Sequence, residues 1–69
     1  MSLSEYELIT RALEQRKDTR NRFIVITPDG QVLDEGSCIY DAKDAMYKNK
    51  AVLVRATLAG AIVADRADQ

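Results

Sequence analysis

The apolar positions near the N-terminus repeat with the spacing of a helix. They fall at i, i+1, i+4 and i+5, which places them on one stripe; the residues are Leu8, Ile9, Ala12 and Leu13. Ser4 and Glu7 precede the stripe with the spacing of a capping box, in which each side chain satisfies the backbone N–H of the other residue. The pattern predicts a helix from about Glu5 to Lys17 that packs through this stripe.

A β-hairpin is predicted next. Residues 23–27 are β-branched or aromatic, as strands prefer. Pro28-Asp29-Gly30 is a turn sequence, because proline presets the first corner and glycine accepts a positive φ. Residues 31–35 form the return strand, and Asp34 and Glu35 would discourage further pairing if that strand lies at a sheet edge.

A second, shorter helix is predicted from about Ala42 to Lys48. Asp41 is a good N-cap residue, and Tyr40 before it could pack back onto the first turn. Asn49 is suited to end the helix, because asparagine tolerates the left-handed conformation.

The segment from Ala51 to Ala64 is nearly continuous and apolar, and its polar residues favour a strand over a helix. Its even positions are all apolar, which is the period of a strand with one buried face; they are Val52, Val54, Ala56, Leu58, Gly60, Ile62 and Ala64. A helix would place Arg55 and Thr57 about 200° apart and leave no polar side. We therefore expect one long C-terminal strand.

These elements predict a single α+β domain over residues 1–69, with the order α-β-β-α-β and a three-stranded antiparallel sheet whose one apolar face is covered by two helices. The last strand is too long for such a domain: it would extend roughly 46 Å, against a globule roughly 28 Å across. Either it turns back at Ala59-Gly60-Ala61, or its second half pairs with a second copy of the chain. We favour a homodimer, and the interface residues that we predict are Leu58, Gly60, Ile62 and Val63.

Composition argues against most catalytic and metal chemistry. The chain has no histidine and one cysteine, Cys38, so it lacks the imidazole of Ser-His-Asp and Cys-His sites and the ligands of a zinc site. Its three glycines are isolated and form no phosphate-binding loop. We therefore expect that the protein is not an enzyme and that it has no catalytic residues, metal or cofactor. The lone thiol and the lack of a long apolar run predict a cytoplasmic protein without a membrane span.

Charge is unevenly distributed along the chain. Residues 23–41 contain four acidic residues and no basic ones, whereas Arg16, Lys17, Arg20 and Arg22 lie within seven residues. A basic cluster can bind nucleic acid, but the net charge of −1 and the pI near 5.2 favour docking onto another protein. Tyrosine and arginine dominate interface energetics. The residues that we predict to bind a partner are Arg11, Arg16, Lys17, Arg20 and Tyr47.

In length and in helix-plus-sheet make-up, the whole chain resembles the small proteins by which bacterial viruses inhibit host proteins, such as the phage anti-quorum-sensing protein that binds a LuxR-type transcription regulator. No motif is shared, and no residues are carried over from that family. The resemblance implies a homodimeric inhibitor of a bacterial host protein, for example a transcription regulator, acting in the host cytoplasm. The alternative is a small nucleic-acid-binding or transcription-accessory protein.

Overall fold

A computed structural model describes residues 2–68 and arranges them as two helices and four strands. The elements are α1 (Glu5–Gln15), β1 (Phe23–Ile26), β2 (Val32–Gly36), α2 (Ile39–Lys48), β3 (Val52–Thr57) and β4 (Gly60–Arg66). The predicted α+β class with two helices is confirmed. The predicted three-stranded sheet with a long last strand is wrong, because that strand is divided into β3 and β4.

The four strands form one antiparallel sheet in the order β2-β1-β3-β4. The central strand β1 is buried along its whole length, and β3 is buried from Val52 to Val54. The strands β2 and β4 lie at the two edges.

The two helices cover opposite faces of the sheet. Leu8 and Ala12 of α1 pack against Ile24 and Val54 on one face. Ala42 and Met46 of α2 pack, together with Val25 and Leu53, on the other. Because successive side chains of a strand point to opposite faces, both faces of β1 enter a core. The expectation of a single apolar face under both helices is therefore wrong.

The first helix begins as predicted and ends two residues earlier, at Gln15. Ser4 and Glu7 form the capping box, with the Glu7 backbone N–H donating to Ser4 Oγ at 3.2 Å. Leu8 and Ala12 are fully buried, but Leu13 is 38% exposed and lies at the margin of the core. The expectation that Leu13 is a core residue is therefore wrong.

The second helix begins at Ile39, three residues before the predicted start. Its N-cap residue is Cys38, which makes no side-chain capping hydrogen bond, so the favourable N-cap chemistry of Asp41 is not used. Tyr40 consequently belongs to the first turn of the helix and does not precede it. The C-terminus is at Lys48, as predicted, with Asn49 as the C-cap residue. The positive φ of 49° belongs to Lys50, the next residue.

The C-terminal segment forms a tight hairpin, so the length argument for a second copy no longer holds. Thr57 pairs with Gly60 across a turn at Leu58 and Ala59, one residue earlier than the alternative predicted turn. Ala61 pairs with Ala56 and Val63 with Val54. After the turn, odd-numbered residues therefore lie on the sheet face that even-numbered residues occupy in β3. Leu58 and Ile62 thus leave the predicted apolar stripe and are exposed.

Candidate functional site: three exposed surfaces

A shallow concavity lies where β2 meets the beginning of α2. Its lining includes Asp34, Ser37, Cys38 and Asp41. Among residues 2–68, no group of three or more Cys, His, Asp or Glu side chains is placed to hold a metal ion. The concavity therefore offers carboxylates and one exposed thiol, but no metal-binding arrangement.

The predicted basic cluster occupies the loop between α1 and β1, residues 16–22, which we call the basic loop. Two of its cations are engaged within the protein. Arg16 Nη1 donates to the backbone oxygen of Asn21 at 3.4 Å, and Arg20 Nη2 lies 2.9 Å from Asp18 Oδ2. The side-chain hydrogen bond from Arg20 lowers the pKa of Asp18, and the same bond raises the pKa of Arg20. The Asp18 carboxylate thus offsets one of the four positive charges of the loop.

Glu35 on β2 holds the basic loop against the sheet. Its carboxylate accepts hydrogen bonds from the Lys17 backbone N–H at 2.8 Å and from Asn21 Nδ2 at 2.9 Å. Partial burial acts to raise the pKa of Glu35, but the hydrogen bonds from Asn21 and the Lys17 backbone outweigh it, and the pKa is lowered. No local pattern in the sequence indicates this tether, because the donor groups lie 14 and 18 residues away from Glu35 along the chain.

Arg11, the remaining predicted cation, lies on α1 and its aliphatic part covers the turn at Gly30. A Cβ built on Gly30 would lie 2.7 Å from Arg11 Cδ. The guanidinium of Arg11 therefore stands above the β1–β2 turn, at the opposite end of β1 from the basic loop.

The solvent side of α2 carries two exposed tyrosines. Tyr40 and Tyr47 are 81% and 60% exposed, and their spacing of seven residues places them on the same side of a helix. Lys43 and Asp44 lie between them and are also exposed. We call this surface, formed by Tyr40, Lys43, Asp44 and Tyr47, the tyrosine face. Sequence reasoning selected Tyr47 and missed Tyr40, because it began the helix at Ala42.

The sheet separates the tyrosine face from α1. The basic loop leads into Phe23 at the start of β1, whereas α2 ends close to Val52, which pairs with Ile26 at the other end of β1. Tyr47 therefore does not share one surface with Arg16, Lys17 and Arg20. The five residues predicted to bind a partner are divided between at least two surfaces.

The predicted dimer residues lie on the β3–β4 hairpin. Leu58 is fully exposed in the turn and Ile62 is 58% exposed on β4. Gly60 is exposed with a φ of 138°, and Val63 is half-buried against the α1 side of the core. The hairpin thus presents an apolar edge to solvent.

Neither helix of the described chain has the length and apolar character needed to cross a membrane. No family model, curated protein or solved structure matches the chain. The exposed surfaces must therefore support any assignment of function.

Proposed function

We propose that this chain is a non-enzymatic protein-interaction module that inhibits a partner protein by covering part of its surface with the tyrosine face. The observation that carries this proposal is the exposure of Tyr40 and Tyr47 on one side of α2. Tyrosine combines a large apolar ring with a polar tip, and it is enriched among the residues that dominate binding energy. The opposite side of α2 already packs through Ala42 and Met46, so the fold does not need the two tyrosine rings for its core.

The charges around the tyrosines favour a partner with an acidic surface. Lys43 lies between the two rings, and Lys48 and Lys50 follow at the C-terminal end of the helix. Asp41 and Asp44 offset two of these three cations, so the surface carries a small net positive charge. We expect the tyrosine rings to fill an apolar depression on the partner. The lysines would meet carboxylates at its rim, where charge mainly increases the rate of association.

The resemblance to phage-encoded inhibitors suggests which class of partner to test. It supports a bacterial host protein in the cytoplasm, such as a LuxR-type transcription regulator. A chain of 69 residues can inhibit such a protein by occlusion alone, because an interface of standard size takes only about 800 Å² from each side.

Site-specific photo-crosslinking tests the proposal directly. Full-length protein carrying p-benzoyl-phenylalanine at position 40 or 47 is expressed in bacterial cells and irradiated. Position 6 is the matched control, because Tyr6 is an exposed tyrosine on α1. We expect one defined protein to be crosslinked from positions 40 and 47 and not from position 6.

Two results would contradict the proposal. One is the absence of any specific protein adduct from positions 40 and 47, and the other is the same adduct from position 6. The same probe at Lys17 distinguishes the alternative function, because a nucleic-acid adduct from the basic loop would indicate a nucleic-acid-binding protein instead.

A further inference from the structure

We infer that two copies of this chain pair antiparallel along β4, about a twofold axis at Ile62, and join their sheets into one of eight strands. The edge formed by β4 lies outside the tyrosine face, so this pairing does not depend on the proposed function.

The outer edge of β4 has no strand beside it, since β4 is the last strand in the order β2-β1-β3-β4 of the described chain. Edge strands expose backbone N–H and C=O groups, and proteins usually protect them with charges, proline or a covering segment. The first five residues of β4, Gly60 to Ala64, contain no charge and no proline. This edge is therefore open to strand pairing.

The other edge, β2, is protected in two ways. It carries Asp34 and Glu35, which would lie close to their own copies in a self-paired strand. In addition, the Val32 backbone N–H donates to Gln15 Oε1 at 3.0 Å, so this edge group already has an acceptor. The contrast singles out β4 as the edge that pairs.

A second copy of the same strand fits this edge because Ile62 lies at the centre of the uncharged segment. The register between β3 and β4 shifts by one residue at Ala64, so the regular part of the new pair lies around Ile62. An antiparallel pair centred on Ile62 places Ala61 opposite Val63 of the second copy. The two Ile62 side chains lie directly opposite each other, which covers the large apolar side chain that the monomer leaves 58% exposed. No charged residue faces a copy of itself in this register.

Both faces of the sheet leave room for the second copy beside β4. The helix α2 packs on β1, β2 and β3, so the face of β4 that carries Ile62 has room for a second isoleucine. On the other face, α1 packs on β4 as well, and the small side chain of Ala61 meets Val63 of the second copy there. The twofold axis runs perpendicular to the sheet and keeps both α2 helices on one side. If the proposed function holds, the dimer presents two tyrosine faces in the same direction.

The mass of the full chain in solution tests the inference. Sedimentation equilibrium from micromolar to millimolar concentration should show a reversible dimer of twice the 7.7 kDa chain mass. Ile62→Lys should raise the dimer dissociation constant at least tenfold and leave the circular dichroism spectrum unchanged. The matched control is Leu33→Lys on the protected edge β2, where Leu33 is also exposed, and it should leave the dissociation constant unchanged.

Disulfide trapping tests the register without relying on a destabilising charge. In a Cys38→Ser background, Ile62→Cys should form a covalent dimer with oxidised glutathione, whereas Leu33→Cys should remain a monomer on denaturing gels. A monomeric mass at all concentrations would overturn the inference, and so would a dimer that Ile62→Lys does not weaken or that is trapped equally through position 33. Tyr47→Ala should leave the mass unchanged, so a failure of the proposed function would be seen separately.

Discussion

The Glu35 carboxylate accepts a hydrogen bond from the Lys17 backbone N–H, and the two atoms lie 2.8 Å apart. This contact ties the basic loop to β2, and Asn21 adds a second donor from the same loop. A loop with four basic residues is thus held by one carboxylate that sits on an edge strand. The contact also makes the stability of the fold depend on the ionisation of Glu35.

The first prediction concerns acid stability. Because hydrogen bonding lowers the pKa of Glu35 in the folded state, its stabilising effect is complete above the unfolded-state value of about 4.3 and is lost as the pH falls through the lower folded-state pKa. Glu35→Gln should therefore destabilise the protein near neutral pH, by about 1 kcal/mol, and make progressively less difference as the pH falls below the unfolded-state value. Urea unfolding across this pH range measures both effects.

Glu14→Gln serves as the control for that experiment, since Glu14 is an exposed carboxylate on α1. It should change the free energy of unfolding by less than about 0.5 kcal/mol at each pH. If Glu35→Gln and Glu14→Gln give the same pH profile, the Glu35 tether does not contribute to stability.

The second prediction compares two leucines on α1. Leu8 is fully buried between the helix and the sheet, whereas Leu13 is 38% exposed. Leu8→Ala should reduce the free energy of unfolding by about 2–5 kcal/mol, and Leu13→Ala by about 1 kcal/mol or less. Chemical denaturation measures both; equal losses would mean that α1 packs through a different stripe.

The third prediction uses the turn at Gly30. Its φ of 100° is unfavourable for any residue with a Cβ, and a Cβ there would lie 2.7 Å from Leu3 Cδ1 and Arg11 Cδ. Gly30→Ala should cost about 1–3 kcal/mol. The control is Gly36→Ala, because a Cβ at Gly36 would have no atom within 4 Å beyond its neighbours in the chain. A thermal shift that is no larger for Gly30→Ala than for Gly36→Ala would contradict the described turn.

Local signals in the sequence were sufficient for α1, for the first hairpin and for the end of α2. The capping box of Ser4 and Glu7 and the Pro28-Asp29-Gly30 turn each act through neighbouring residues. Asn49 is the C-cap residue of α2, but the left-handed conformation expected of it belongs to Lys50. The strong N-cap chemistry of Asp41 was misleading, because the chain begins α2 at Ile39 without a side-chain cap.

The division of the last strand could not be predicted from periodicity. The turn at Leu58 and Ala59 contains none of the Asn-Gly or Asp-Gly pairs that mark tight hairpins. Ile62 is an even-numbered apolar residue like Val54, so the alternation along the sequence continues across the turn. In the structure, however, Ile62 lies on the other face of the sheet from Val54. Only the pairing of β3 with β1 and β4, a tertiary property, distinguishes the hairpin from one long strand.

The candidate surfaces depend even more on tertiary structure. The sequence marks Tyr47 and the basic residues as interface types, but it does not show that the helices cover opposite faces of the sheet and so separate these residues. It also does not show that Glu35 and Asp18 engage the basic loop. The exposure of Tyr40 follows from the true start of α2.

The affinity of the tyrosine face for its partner is the most direct test of the proposed function. Once photo-crosslinking has identified the partner, isothermal titration calorimetry compares the wild type with Tyr47→Ala and with Tyr6→Ala, the matched exposed tyrosine on α1. We predict that Tyr47→Ala raises the dissociation constant about tenfold or more without changing the melting temperature, and that Tyr6→Ala binds like the wild type. Unchanged binding by Tyr47→Ala, or an equal loss with Tyr6→Ala, would contradict the account.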